Sequence, residues 1–197
     1  MTHTLHRKGS VEDLHADYVI LAMLAADIND KYPDSRSKLL RVGELIEECN
    51  PINMLAKELW KVSPIITANF NNIESVKKAL TLLKKNNLGI SVVVSGLITE
   101  IKKIAKEIDL DLHTIHLSLG TFGKKELLPS EKILEITTMC GHHCISPQSI
   151  EYYVKLIKNG KISVENAANR LKKPCVCGIF NLSRAVQILN TLVKEFS

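Results

Sequence analysis

No apolar run in this 197-residue chain reaches the roughly 18 residues that a membrane-spanning helix needs. That absence excludes a helical membrane protein from the sequence-level readings. The longest run near the N-terminus, residues 18–26, is bracketed by Asp17 and Asp27 and has no basic stretch directly before it. It reads as a buried strand rather than a secretion signal. Glycine and proline are scarce, at nine and six, which excludes collagen-like and low-complexity architectures. Disorder is excluded in turn, because 45% of the residues are hydrophobic and 24% charged, enough to build a core. The expected compartment is the cytoplasm. Thiols stay reduced there, and grouped cysteines serve metals or redox chemistry more often than disulfides.

What the chain does have is a concentration of cysteine and positive charge in one place. Residues 140–197 carry eight Lys and Arg against three Asp and Glu. Their net of +5 equals that of the whole chain, so residues 1–139 are balanced. The same segment holds four of the five cysteines.

Patterning divides the chain into residues 1–128, an α/β unit, and residues 129–197, a helical cysteine-rich segment. In the first part, strand-like and helix-like stretches alternate. Residues 18–25 form a continuous apolar run expected of a strand buried on both faces. A helix follows over 37–48, with Ser37 as its cap, and a short second helix over 52–60. Strands are expected at 64–70, 90–94 and 113–119, with helices from 72 to 85 and from about 97 to 108 between them. This order predicts a mainly parallel sheet of about four strands with flanking helices and right-handed crossovers. Beyond Pro129 the period is helical throughout, with helices starting at Ser130 and covering 147–158, 163–172 and 182–196.

The segment that stands out is Cys140-Gly-His-His-Cys144, paired with Cys175-Val-Cys177-Gly178 further on. The intervening sequence is helical, so the two pairs can meet as the ends of a hairpin. A CxxxC pair shares one face if its segment is helical. A CxC pair cannot share a helical face and needs a loop, for which Gly178 and Pro174 are suited. Four converging thiolates hold either an iron–sulfur cluster or tetrahedral zinc. The one-residue spacing of CxC is tight for a zinc knuckle, whereas a cubane accepts irregular spacings. The first expectation is therefore a [4Fe–4S] cluster on Cys140, Cys144, Cys175 and Cys177. Zinc is the alternative, and His142 and His143 are alternative ligands. Lys172, Lys173, Arg184 and the amides at the start of the last helix are expected to offset the thiolate charge. Cys49 stands alone and reads as a core residue.

A cluster so placed implies redox, electron-transfer or catalytic duty, with a redox partner or a small molecule as its counterpart. Saturated iron favours electron transfer; an open iron favours substrate chemistry. A second reading takes residues 160–189 as resembling a helix-turn-helix, with Arg184 on a basic second helix, in a redox-responsive nucleic-acid binder that carries the cluster. The long cysteine-bearing connection between these helices counts against it. A zinc-stabilised interaction module is the third reading. Weaker ligand candidates are the 119–125 loop with Gly120, Gly123, Lys124 and Lys125, the Ser95-Gly96 turn, and Asp27, Asn29 and Asp30 after the first strand. His113 and His116 fall on opposite faces of a strand and do not act as a pair.

Overall fold

The apolar run after Asp17 forms the central strand of the protein. In the computed structural model, which describes residues 7–118 and 120–195, β1 covers Tyr18–Met23. A short helix, α1 (Val11–Leu14), precedes it and is closed by a capping box between Ser10 and Asp13. After β1 come α2 (Ser35–Glu47), β2 (Asn53–Met54), a 3₁₀ turn (Lys57–Leu59), β3 (Ile65–Phe70), α3 (Ile73–Asn86), β4 (Ser91–Ser95) and α4 (Ile98–Glu107). The remainder is helical: α5 (Glu131–Thr137), α6 (Pro147–Lys158), α7 (Val164–Lys172) and α8 (Leu182–Glu195).

The sheet is not parallel. Its order is β2-β3-β1-β4, and every neighbouring pair is antiparallel. Both β3 and β4 pair with β1, with Ile20 opposite Ala68 on one side and Val94 on the other. These two strands therefore run in the same direction with β1 inserted between them, and α3 carries the chain across the gap, as in a split β-α-β unit. Strand–helix–strand alternation is common to that arrangement and to a doubly wound parallel sheet. Periodicity records which stretches are strands, not which strands become neighbours.

Three further expectations are corrected. Residues 52–60 are not a helix; Asn53 and Met54 pair with β3 as β2, because Ile52 and Leu55 donate to the carbonyls of Asn69 and Thr67. Residues 113–118 form no strand and lie exposed without regular structure, and Leu119 lies outside the described residues. The cap of α2 is Asp34 rather than Ser37. Asn72, Ser146 and Ser163 cap α3, α6 and α7, each accepting from the amide three residues on; each such bond stabilises its helix by about 1 kcal/mol.

The sheet has an apolar face and a mixed one. Tyr18, Ile20, Ile66, Ala68 and Phe70 pack with Leu39, Ile46, Val76, Ala79 and Ile104 of α2, α3 and α4. Val19 points the other way and joins the core of the C-terminal helices, with Ile136, Met139, Ile150, Leu171 and Leu189. Thr67, Asn69 and Asn53 are polar yet buried. Two of them find partners in the segment between α7 and α8: Asn53 Nδ2 donates to the Phe180 carbonyl at 3.0 Å, and the Thr67 hydroxyl donates to that of Cys177; Asn69 Nδ2 donates to Asp17 Oδ1 at 2.8 Å. The sheet thus holds the cysteine-bearing loop in place through polar contacts that burial strengthens. No helix of the described residues is long and apolar enough to cross a membrane.

Candidate metal centre

Cys140 and Cys144 lie on the turn between α5 and α6, not on a helix. Their placement on one helical face is therefore corrected: the chain reverses at Cys140–His143, where the His143 amide donates to the Cys140 carbonyl at 3.0 Å. His143 takes the left-handed conformation, with φ of 53°. Ile145 is buried after it, and Ser146-Pro147 begins α6. This turn buries Cys140 and leaves Cys144 exposed.

Cys175 and Cys177 sit on the loop from α7 to α8, as CxC spacing requires. Pro174 follows the last turn of α7, the Cys175 amide donates to Lys172 at 2.9 Å, and the Gly178 amide donates to Cys175 at 3.1 Å. Gly178 has φ of +72°, a conformation that favours glycine. Asn181 then starts α8 by accepting from the Arg184 amide at 2.9 Å. Both cysteines are buried.

The two motifs meet. Cys175 is near enough to Cys140 to act on its ionisation, and its sulfur is 3.7 Å from that of Cys177. His142 brings Nδ1 to 3.8 Å from Cys177 Sγ, and Cys144 Sγ lies 3.9 Å from the His142 carbonyl oxygen. His143 is exposed. Cys49 is elsewhere, in the core under α2, with its thiol directed at the Leu45 carbonyl. Among the described residues, no three His, Cys, Asp or Glu side chains form a ready-made metal-holding group. The sulfurs are joined here by thiol hydrogen bonds.

Those bonds separate the protonation states of the three buried sulfurs. Cys140 is held down to about 5, chiefly by the hydrogen bond from Cys175 and further by the amides of Cys144 and His142, against the opposing effect of burial. Cys177 is held at about 6, again first by Cys175, with the Ile179 amide and His142 contributing. Cys175 is pushed up by its hydrogen-bonding with Cys140 and Cys177 and by burial beside them. Burial and the neighbouring Cys140 charge raise Cys144. A thiol between two thiolates is the resulting state, and thiolates are the metal-binding and nucleophilic form of cysteine.

The buried cation bound to the two cysteine-bearing loops is not one that the local sequence marks. Arg184 is buried and bound to Asp17 (2.9 Å) and Glu135 (3.3 Å), Lys173 is exposed and Lys172 half-buried. That cation is Arg7, from the start of the chain, whose Nη1 donates to the Met139 carbonyl at 3.0 Å and whose Nη2 donates to the Ile179 carbonyl. The amide that serves Cys177 is that of Ile179, ahead of α8 rather than within its first turn. Burial of Arg184 also removes the side chain on which the nucleic-acid reading depended.

The weaker candidates have structural roles or remain solvent-facing. Asn29 closes the turn after β1 by accepting from the Ala25 amide at 2.6 Å and donating to the Gly89 carbonyl. Gly96 lies against the Tyr18 ring, where a β-carbon would come within 2.5 Å. His113 and His116 are exposed on irregular chain. Thr121 and Lys125 line an open cleft of about 440 Å³ with Lys8 and Ser130, but no parallel-sheet rim lies beneath it. Comparison with known proteins finds no family model that matches the chain, and no curated protein or solved structure that resembles it.

Proposed function

We propose that the protein is a thiolate metalloprotein that binds a [4Fe–4S] cluster through Cys140, Cys144, Cys175 and Cys177 and uses it in redox or cluster-based chemistry. One observation carries this reading: the turn after α5 and the loop after α7 bring Cys140, Cys175 and Cys177 into one buried group. Four cysteines scattered for packing would have no reason to meet. Amides of Cys144, His142 and Ile179 directed at the sulfurs are the interactions that tune cluster potentials. The exposed Cys144 supplies a solvent-facing corner. A redox partner or a small-molecule substrate would approach there.

A specific distance favours a second occupant. Zinc bound to sulfur at about 2.3 Å sets tetrahedral sulfur–sulfur edges of about 3.8 Å, and Cys175 and Cys177 stand 3.7 Å apart. In that reading His142 or Cys144 completes the set, and the protein is an interaction module stabilised by its metal.

Iron, sulfide and zinc analysis with a visible spectrum, on protein purified without oxygen, separates the two. About four iron and four sulfide per chain with a broad visible absorption supports the cluster. One zinc and no visible band replaces it with the zinc module. Protein that takes up neither metal, even after reconstitution, overturns the metal centre.

A further inference from the structure

The N-terminal strap reaches across the helical segment before the chain enters β1. Its Arg7 side chain is only 4% exposed. The Arg7 guanidinium has three acceptors around it. Nη1 donates to the Met139 carbonyl at 3.0 Å, Nη2 donates to the Ile179 carbonyl, and Nε is 3.2 Å from Asp17 Oδ1. Met139 immediately precedes Cys140, and Ile179 lies two residues beyond Cys177. One planar fork therefore spans both cysteine-bearing loops, and the strap is held alongside by the Lys8 amide, which donates to Thr138 Oγ1 at 3.0 Å.

We propose that Arg7 is the positioning residue of the thiolate centre, bracketing its two loops through Met139 and Ile179 and supplying the buried positive charge that opposes the bound thiolates. The inference rests on the metal-centre reading above. An arginine is suited to this task because its rigid fork addresses separate acceptors at once, which a lysine ammonium on a flexible stem does not reproduce. Outer groups that orient metal ligands typically govern affinity by about 10- to 100-fold. Asp17 is shared with Arg184, and its ion pair with Arg7 Nε at 3.2 Å helps fix the guanidinium.

Cobalt(II) titration of the full-length, reduced, metal-free protein tests this, since cobalt bound to thiolate gives a charge-transfer band whichever metal is native. Wild type, Arg7→Lys and Arg7→Gln are compared, with far-UV circular dichroism as a folding control. Arg7→Lys keeps the charge and loses the fork; Arg7→Gln loses both. The expected cobalt affinity falls about 10-fold or more in Arg7→Lys and further in Arg7→Gln. If Arg7→Gln does not fold, Arg7→Lys carries the test alone: a loss of about 10-fold or more is still expected there, and an affinity within about twofold of wild type overturns the role of Arg7. Affinities within about twofold of wild type, or equal losses in the lysine and glutamine variants, overturn the role of Arg7. A wild-type protein that gives no charge-transfer band at all overturns the metal centre itself, so the two failures are distinguishable.

Discussion

Gly178 is pressed against the backbone of Met54. A β-carbon on Gly178 would lie 2.0 Å from the Met54 carbonyl carbon and 2.2 Å from its oxygen. The CxC loop thus docks on β2 with no room for a side chain, and the Thr67 and Asn53 bonds to Cys177 and Phe180 flank the contact. The placement of Cys175 and Cys177 depends on a neighbouring glycine.

Gly178→Ala is therefore expected to cost at least about 2 kcal/mol, because it combines a backbone clash with a left-handed conformation that alanine resists. Chemical denaturation measures the loss, and metal analysis should show reduced occupancy in the same variant. Stability equal to wild type would mean that this loop does not pack as described.

The cysteines should divide by position. Cys140→Ser, Cys175→Ser and Cys177→Ser are each expected to abolish the visible chromophore of the cluster-loaded protein. Cys144→Ser, at the exposed corner, should lower occupancy without abolishing it. Cys49→Ser should leave metal content unchanged, since its thiol faces Leu45 in a separate core. Loss of colour on changing Cys49 would contradict this assignment.

Metal-free protein should show a thiol-linked pH dependence. Cys140 and Cys177 are held near 5 and 6, below the ordinary 9.0. A lowered folded-state value adds stability above the unfolded value, and that stability is lost as pH falls through the folded one. Their contribution thus grows from about pH 5 towards 9. Cys175 is pushed up, so above 9.0 it reverses the trend: the unfolded thiol ionises while the folded one does not. Urea midpoints of wild type and Cys140→Ser, under reducing and chelating conditions, should draw apart between pH 5 and 8. A constant separation would refute the thiolate assignment.

Asp17 joins the two layers. It is 1% exposed and accepts from Asn69 at 2.8 Å, Asn181 at 3.1 Å and Arg184 at 2.9 Å. Asp17→Asn is expected to cost about 3–5 kcal/mol, because it leaves two buried arginines short of a counter-charge. Denaturant titration checks this; a loss below about 1 kcal/mol would show that Glu135 alone balances them.

Much of the local structure is legible in the chain. The apolar run at 18–25, the alternation at 64–70 and the β-branched stretch at 90–94 are strands, and the helical periods after Pro129 are helices. The stretch at 113–119 carries a similar alternation, yet its described residues remain unpaired, because alternation does not supply a neighbouring edge. Thr67 and Asn69 held a signal that went unused. Polar residues on the second face of a strand buried on both sides imply polar partners, and these are Cys177 and Asp17. Arg7 left no such trace, since nothing near it in sequence relates it to cysteines more than 130 positions away.

By itself, then, the sequence determined most of the helices, the strands β1, β3 and β4, and which cysteines are paired along the chain, because periodicity, capping and residue spacing act over a few residues. The tertiary structure decided that the sheet is antiparallel, that Cys140 is buried near Cys175 and Cys177, that Cys144 faces solvent, and that Arg7 binds carbonyls of both cysteine-bearing loops while Arg184 is taken up by Asp17 and Glu135. Those outcomes depend on which surfaces meet when the chain buries its apolar area, and on buried polar groups finding partners far along the chain.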